Sequence, residues 1–313
     1  MPVHINHHKD SSKKVILIIG PTAVGKTEIA VNLSKELDIE VISCDSMQIY
    51  KGMALVSAAP DAYIRKKLKH HLVAELPAEK EYSVADFIKI SKGVINDIHK
   101  KGKIPVFVGG SGLYMKALID GIFIGPAADN RLRAQLYKQA KKYGRNYLYD
   151  RLKTIDPVAA AKIHPANIRK IIRAIEVFKL TKTPISILQK DTEGILKGFN
   201  VYIFGLNLKR HNLYQRIDER VEEMFKKGLI GEIKKLLRKR LSKTANQAIG
   251  IDEMRGYLEA RYDLNEAKRL MKRNSRHFAK RQLTWFRKES RIKWINVDNK
   301  SHKKVAEIIL RKI

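Results

Sequence analysis

Val15-Ile16-Leu17-Ile18-Ile19-Gly20-Pro21-Thr22-Ala23-Val24-Gly25-Lys26-Thr27 is the stretch of the chain that decides the fold. It opens with five consecutive β-branched or leucine residues, which predict a strand buried on both faces. The pattern G-x-x-x-x-G-K-T follows, and residues 29–37 then carry apolar side chains at helical spacing. A strand, a glycine-rich loop and a helix in this order are typical of a P-loop.

A P-loop binds phosphate through its backbone. Gly20 and Gly25 allow conformations in which successive N–H groups turn toward phosphate oxygens, and the helix N-terminus adds partial positive charge. We expect Lys26 to reach the outer phosphates and Thr27 to ligate Mg²⁺, the one cofactor that the sequence predicts. The predicted diphosphate-binding residues are Gly20, Pro21, Thr22, Ala23, Val24, Gly25, Lys26 and Thr27. The motif does not say whether the diphosphate belongs to ATP.

Composition limits the class of protein. The 313 residues are 44% hydrophobic, which is enough for one large or two modest cores. Lys and Arg number 63 against 32 acidic residues, and the net charge of +31 indicates a polyanionic partner, nucleic acid before membrane, unless the whole proteome is basic. Cys44 is the only cysteine, which excludes a disulfide framework and a cysteine-based zinc site. The apolar run at 15–19 is too short for a signal peptide or a membrane span, so we expect a soluble, cytoplasmic protein. We also expect a monomer.

Two further strands are predicted to end beside the P-loop. Residues 40–44 precede Asp45, and residues 103–108 precede Gly109-Gly110-Ser111, at the strand ends where parallel α/β sheets bind ligands. A charged helix is expected near 61–71, and another begins near Tyr82 with a Ser83 cap. Asp45 follows the strand that comes directly after the P-loop helix. This placement of an acidic residue is typical of kinases rather than of motor ATPases. The expected fold is therefore α/β, a P-loop NTPase-like parallel sheet flanked by helices.

The middle of the chain has a different pattern. Strand signals vanish between Gly121 and Phe199, where the sequence is helical, basic and rich in tyrosine, and residues 201–206 then resume the sheet. We predict a discontinuous core domain, 13–121 and 200–313, and an all-helical insertion domain, 122–199. Two helical stretches, 211–240 and 263–289, precede a last strand near 293–297.

A basic stripe is predicted near the C-terminus. At 100° per residue, one side of the helix through 270–289 carries Met271, Phe278, Gln282, Trp285 and Phe286, and another carries Arg273, Arg276, Lys280 and Arg287. Such a face can simply be solvated. In a chain with this charge, contact with nucleic-acid phosphates is favoured.

Several stretches together resemble one family, the tRNA dimethylallyltransferases, also called tRNA isopentenyltransferases. They are GPTAVGKT at 20–27, DSMQIYKGM at 45–53, HHL at 70–72, YSVADF at 82–87, GGSGLY at 109–114, IDPVAAAKIHPANIRKIIRAIEVF at 155–178, LYQRIDERVEEMFKKGL at 213–229, QAIG at 247–250 and RHFAKRQLTWFRK at 276–288. The sequence departs from the usual family pattern at Ala59, where a lysine is expected, at Ser111 in place of Thr, and at Ile251-Asp252 in place of Tyr-Lys.

The resemblance implies a reaction and its partners. Family members transfer a dimethylallyl group from dimethylallyl diphosphate to N6 of the adenosine beside the anticodon, and diphosphate leaves with Mg²⁺ assisting. The helical insertion is then expected to contact the anticodon stem of tRNA. Two alternatives remain open from the residues, a P-loop small-molecule kinase that uses ATP and a non-catalytic RNA-binding NTPase.

The chemistry suggests roles for individual residues. Adenine N6 is a poor nucleophile, so Asp45 is the candidate general base, with Mg²⁺ binding or helix capping as the alternative. Arg220 is the candidate for stabilising the leaving diphosphate, with Arg216 as the substitute and an ion pair to Asp218 or Glu219 as the alternative. The predicted catalytic set is Asp45, Lys26, Thr27 and Arg220.

The remaining candidates are tRNA contacts. Ser46 and Gln48 could bond a base edge or merely cap the loop, Met47 could pack on a flipped base, and Ser111 could contact the nucleotide. The predicted tRNA-binding residues are Asp45, Ser46, Met47, Gln48, Ser111, Arg133, Arg169, Lys170, Arg173, Arg276, Lys280, Arg281, Gln282, Trp285 and Arg287.

Overall fold

The computed structural model describes residues 14–190 and 192–313, so the predicted domain start at Lys13 lies just outside it. Backbone contacts divide the chain into two compact units. Lys116–Ile195 forms one unit, called here the helical unit, and residues 14–115 and 196–313 form the other, called the sheet unit. Each unit has a hydrophobic core of its own.

A parallel sheet organises the sheet unit. Within the described residues it has six strands in the order β3-β2-β4-β1-β5-β6, and every pairing is parallel. The P-loop strand lies inside the sheet, where Ile16 is in register with Val106 on one side and Tyr202 on the other. The α/β fold predicted from the sequence is confirmed. The strands are β1 Lys14–Ile19, β2 Ile39–Cys44, β3 His70–His71, β4 Ile104–Gly109, β5 Asn200–Asn207 and β6 Lys293–Asn296.

Helices flank the sheet and form the whole regular structure described for the helical unit. Ser83 and Asp86 form the expected capping box at the start of the third helix. The α-helices are α1 Lys26–Leu33, α2 Ala62–Lys67, α3 Val84–Lys100, α4 Gly112–Asp120, α5 Asn130–Tyr143, α6 Arg145–Ile155, α7 Pro157–Lys162, α8 Ile168–Thr181, α9 Ile185–Leu188, α10 Arg210–Lys226, α11 Leu229–Leu237, α12 Ile251–Leu258, α13 Leu264–Phe286 and α14 His302–Leu310.

Two predicted helices are wrong in extent. The helix expected at 61–71 ends at Lys67, because Leu68 turns to an extended conformation, is buried, and leads into β3 beside β2. The helix expected at 211–240 is broken between α10 and α11. Gly228 has a φ of 95° there, a left-handed conformation that glycine adopts without strain.

The main core of the sheet unit lies on the side of the sheet where α1 and α14 pack. Ile16 and Ile18 of β1 contribute to it together with Ile29 of α1 and Val305 of α14, and all four are fully buried. Burial of this apolar area supplies the main driving force for folding. It also fixes the strand whose carboxyl end carries the P-loop.

A buried carboxylate anchors β2. Glu40 is 3% exposed and lies 2.7 Å from His71 Nε2, 3.3 Å from Lys101 Nζ and 3.7 Å from Lys103 Nζ. Burial by itself would raise the pKa of Glu40, but hydrogen bonds from His71 and Lys101 and their charges hold that pKa below its ordinary value. The strand that leads to Asp45 is therefore held by an ionised side chain.

The helical unit is built around a second buried carboxylate. Glu176 of α8 is fully buried and accepts two hydrogen bonds of 2.8 Å from Arg133 and one of 2.7 Å from Arg173. Its Oε1 also accepts from the backbone N–H of Asp129, at 2.9 Å. These bonds oppose the effect of burial and keep the pKa of Glu176 below its ordinary value.

None of the described helices has both the length and the apolar character needed to cross a membrane.

Candidate active site

The P-loop connects β1 to α1. Gly20 has a φ of 152° and Gly25 one of 94°, and a Cβ atom at Gly20 would lie only 2.8 Å from the carbonyl oxygen of Leu206. Gly25 is the N-cap of α1 and, having no side chain, provides no side-chain cap for the first N–H groups of that helix. Free N–H groups and the positive end of a helix dipole form a binding place for an anion.

Lys26 points back over the loop. Its Nζ donates to the carbonyl oxygens of Gly20 at 3.0 Å and Pro21 at 2.7 Å. Burial, and secondarily the charge of Arg220, lower the pKa of Lys26 to about 8, although Asp45 and Glu28 act in the opposite direction. An incoming phosphate would offer this ammonium group the negative charge that the carbonyl groups lack.

Asp45 follows β2 directly, at the same edge of the sheet. Its Oδ1 accepts the backbone N–H of Met47 at 2.9 Å. Burial raises the pKa of Asp45, while the Met47 bond and the charges of Lys26 and Arg220 oppose that rise. A carboxylate whose pKa is raised is a better proton acceptor than an ordinary aspartate, as general-base chemistry requires.

Arg220 reaches the P-loop from α10. Its Nη1 donates to the Thr22 hydroxyl at 2.8 Å and its Nη2 to the carbonyl oxygen of Ala58 at 3.3 Å. Asp218 accepts a hydrogen bond from Arg276, and Glu219 accepts one from Gln215. These contacts do not support the alternative interpretation, in which Arg220 forms an ion pair with Asp218 or Glu219.

These groups line one cavity of about 910 Å³ within the sheet unit. Of the predicted site residues, the cavity is lined by those from Thr22 to Thr27, by Asp45, Ser46, Met47 and Gln48, and by Arg220, Arg281 and Gln282. Arg216, the substitute candidate, lines it as well. Met224, Met271 and Phe278 supply an apolar part of the wall.

Gln282 lines the cavity, but both ends of its amide already have partners within the protein. It is 6% exposed; its Oε1 accepts the backbone N–H of Thr22 at 3.0 Å, and its Nε2 donates to the Gly110 carbonyl at 3.0 Å. A Cβ atom at Gly110 would overlap Gln282 Nε2, which explains the second glycine of the GGSGLY stretch. Both polar ends of the amide are occupied, so Gln282 joins α13 to two strand-end loops.

Other predicted tRNA contacts also have partners inside the protein. Arg133 and Arg173 bind Glu176, and Arg276 Nη1 lies 2.7 Å from both carboxylate oxygens of Asp218. The amide oxygen of Gln48 accepts from the hydroxyl of Ser43 at 2.8 Å. Each of these side chains has a structural role, whether or not it also meets RNA.

The remaining predicted contacts lie on the surface or against α4. Trp285 packs on Gly112, and Ser111 is not among the described residues that line the cavity. Five of the predicted basic tRNA contacts are exposed and form no ion pair within the described part of the chain. They are Arg169, Lys170, Lys280, Arg281 and Arg287.

Residues from distant segments also reach the cavity, and the sequence contains little sign of them. His302, at the start of α14, approaches Gly25 so closely that a Cβ there would lie 2.7 Å from Nε2. His70 of β3 also lines the cavity, and the HHL stretch was the only signal that pointed to it. No local motif marked His302.

Comparisons with known proteins agree on one family. A family model described as IPP transferase matches residues 48–289, and one described as isopentenyl transferase matches residues 13–81. A tRNA dimethylallyltransferase of Carboxydothermus hydrogenoformans is 44% identical over 301 residues, 96% of this chain and 97% of the relative. One of Acetivibrio thermocellus is 43% identical over 287 residues, 91% of this chain and 92% of the relative.

Solved structures show the same similarity. The full-length tRNA isopentenylpyrophosphate transferase of Bacillus halodurans aligns with a TM-score of 0.70 and 40% identity over 96% of each chain. A eukaryotic dimethylallyltransferase acting on tRNA aligns with a TM-score of 0.79 and 26% identity, over 96% of this chain and 80% of that one.

Proposed function

The chain belongs to the IPP transferase family, and we propose that it transfers a dimethylallyl group from dimethylallyl diphosphate to N6 of the adenosine beside the anticodon. At the coarser level it is a tRNA dimethylallyltransferase, as its full-length relatives are. The prenyl donor, the target adenosine and the contact with the anticodon stem are parts of the proposal.

One observation carries the proposal. A loop built to bind phosphate, a carboxylate with a raised pKa and a partly buried arginine face the same cavity. Transfer from an allylic diphosphate needs each of them, because a diphosphate leaves, negative charge develops on its departing oxygen, and N6 loses a proton.

The diphosphate is bound by the P-loop. When the bond between the allylic carbon and the diphosphate oxygen breaks, the electron pair stays with that oxygen. Lys26, Arg220 and the first N–H groups of α1 stabilise the charge that develops there. Removal of one such donor typically lowers a rate by about 10²–10³.

Asp45 accepts the proton. The lone pair of N6 forms the new bond to carbon, and the N–H proton passes to the carboxylate of Asp45. An adenosine in a loop must leave its stack to enter a cavity, at a cost of a few kcal/mol, roughly, which contacts elsewhere on the tRNA offset. Met47, beside Asp45 in the cavity wall, is placed to pack on the extruded base.

Mg²⁺ fits the donor set. Magnesium prefers one or two protein oxygens together with substrate phosphates and water, and the Thr27 hydroxyl in the P-loop and the Asp45 carboxylate line the same cavity. The Thr27 hydroxyl would hold the ion; when bound, it neutralises charge on the diphosphate. We propose that the monomer is active, because the P-loop, Asp45 and Arg220 already line one cavity of the sheet unit.

Among the comparisons reported above, none favours an ATP-dependent kinase. The apolar wall formed by Met224, Met271 and Phe278 suits an aliphatic group of five carbons better than a ribose. We expect Mg²⁺ with dimethylallyl diphosphate to raise the melting temperature more than Mg²⁺ with ATP.

The direct test is transfer of radiolabel from dimethylallyl diphosphate to total tRNA. Label in the tRNA fraction supports the proposal. Label that stays with the donor while ATP is consumed would support the kinase instead.

A further inference from the structure

The helical unit has an exposed aromatic and basic surface that the proposed chemistry does not use. Residues 137–147, Tyr-Lys-Gln-Ala-Lys-Lys-Tyr-Gly-Arg-Asn-Tyr, join the end of α5 to the start of α6 and are called here the α5–α6 tip. Tyr137 is 45% exposed, Tyr143 55% and Tyr147 42%. The tip contains neither Asp nor Glu.

These three tyrosines are not among the described residues that pack against the core of the helical unit. The core beneath them is formed by Leu136, Leu148 and their neighbours, while Tyr149 shows what a structural tyrosine does in the same segment. Tyr149 packs against that core, and its hydroxyl donates to the carbonyl oxygen of Ala160 at 3.1 Å. Aromatic groups left in water at one place on a surface indicate an interaction site.

The tip has the geometry of a stacking surface. The rings of Tyr143 and Tyr147 have their centroids 5.0 Å apart at an interplanar angle of 42°, and Lys142 Nζ lies 5.0 Å from the Tyr143 centroid. Lys138, Lys141 and Lys142 are exposed, and no ion pair is recorded for them in the described part of the chain. Aromatic faces beside unneutralised cations match the bases and phosphates of an unpaired nucleic-acid strand.

We propose that the α5–α6 tip binds unpaired nucleotides of the RNA substrate, with bases on Tyr143 and Tyr147 and phosphates at Lys141 and Lys142. The proposal rests on the proposed function for the identity of that RNA, and it adds a contact by stacking. The net charge of +31 opposes a second copy of the chain as the occupant. Duplex RNA is a poor match, because its bases are stacked on one another and present no free faces.

Two double variants separate stacking from charge. Y143A/Y147A should weaken binding of an unmodified tRNA transcript by about thirtyfold or more, because two stacking contacts are lost, with no change in the salt dependence. K141A/K142A should lower the slope of log K against log salt by about 1.4, because each lysine neutralises one phosphate at roughly 0.7 per phosphate. Melting temperatures should change little, because both lysines are exposed and the two tyrosines lose only their contacts with each other and with Lys142 across the α5–α6 turn.

A matched control exists in the sheet unit. Tyr63 is 66% exposed, with Lys67 Nζ 4.1 Å from its ring centroid, so Tyr63→Ala removes a similar surface pair elsewhere. It should leave tRNA affinity unchanged. A blunt-ended RNA duplex is the second control, and Y143A/Y147A should bind it as the wild type does.

Three results would overturn the proposal: unchanged tRNA affinity in Y143A/Y147A, an equal loss on the duplex, or an equal loss in Tyr63→Ala. Polyglutamate serves as a probe for an acidic protein partner. If Y143A/Y147A and K141A/K142A lost polyglutamate binding and still bound tRNA as the wild type does, the tip would be assigned to an acidic protein instead. Label transfer by the wild type is measured separately. Its failure would refute the proposed function and leave the binding result for the tip valid.

Discussion

Replacing Gln282 by methionine should damage both stability and chemistry, although Gln282 touches neither substrate in the proposed mechanism. The change keeps the length of the side chain and removes both hydrogen bonds of its amide. The buried carbonyl oxygen of Gly110 and the part-buried N–H of Thr22 then lose partners at 3.0 Å each. An unsatisfied buried polar group costs about 1–3 kcal/mol, and the Thr22 N–H faces the cavity, so we expect a loss of about 1–3 kcal/mol in the free energy of unfolding, mainly from Gly110.

The effect on chemistry follows from the hydrogen bond between Arg220 and the hydroxyl of Thr22. Thr22 accepts from Arg220 through its hydroxyl, so a P-loop that shifts at Thr22 also moves the arginine predicted to stabilise the leaving diphosphate. We expect the single-turnover transfer rate to fall by about tenfold or more, since small misplacements at a reacting centre are costly. The affinity for tRNA should change little.

Urea unfolding and rapid-quench transfer at saturating donor would measure the two effects. Lys280→Met is the matched control, because it places the same side chain on the exposed side of α13 and breaks no bond to the P-loop. A Gln282→Met variant with wild-type stability and wild-type transfer would refute the inference that the hydrogen bonds of Gln282 hold α13 against the two strand-end loops.

Further changes have equally definite outcomes. Lys26→Ala should lower transfer by about 10²–10³, because the diphosphate loses its closest cation; near-normal turnover would show that the loop does not hold it. Lys280→Ala combined with Arg287→Ala should reduce the salt slope of tRNA binding by about 1.5, roughly 0.7–0.9 for each phosphate. Arg276→Ala should reduce it by less than about 0.7, since Asp218 already balances that charge. A reduction of about 0.7–0.9 in Arg276→Ala would contradict this. Because the pKa of Glu40 is lower in the folded protein than in the unfolded chain, its contribution to stability is present above the ordinary pKa and is lost as pH falls through the folded value. The difference in the free energy of unfolding between the wild type and Glu40→Gln, measured with urea at several pH values, should therefore shrink in acid. A difference independent of pH would refute the stabilising role of the ionised Glu40 carboxylate beside His71 and Lys101.

Local patterns predicted the sheet and the P-loop because those elements depend on neighbouring residues. A run of β-branched residues, two glycines and a helical repeat specify β1, the loop and α1 with little help from the rest of the chain. His70–His71 is different, because two residues form a strand only when β2 lies beside them. A sequence pattern does not reveal that pairing.

The candidate site was less predictable from the sequence, because many of its contacts join residues that lie far apart in the chain. Arg173 and Glu176 are three residues apart on α8, so their ion pair was open to prediction from helical spacing. Arg276 and Asp218, or Gln282 and Thr22, meet only through the tertiary fold. A basic or amide side chain on a predicted helix face therefore suggested RNA contact, while in the structure its partner is another part of the protein.

The most direct test of the account is single-turnover transfer by Asp45→Asn with donor and tRNA both bound. Asparagine keeps the shape of the side chain and can still accept the N–H of Met47, but it cannot take a proton from N6. We predict that both substrates bind within a few-fold of wild type while transfer falls by about 10²–10⁴. Transfer at the wild-type rate would remove Asp45 from the chemistry and contradict the proposed mechanism.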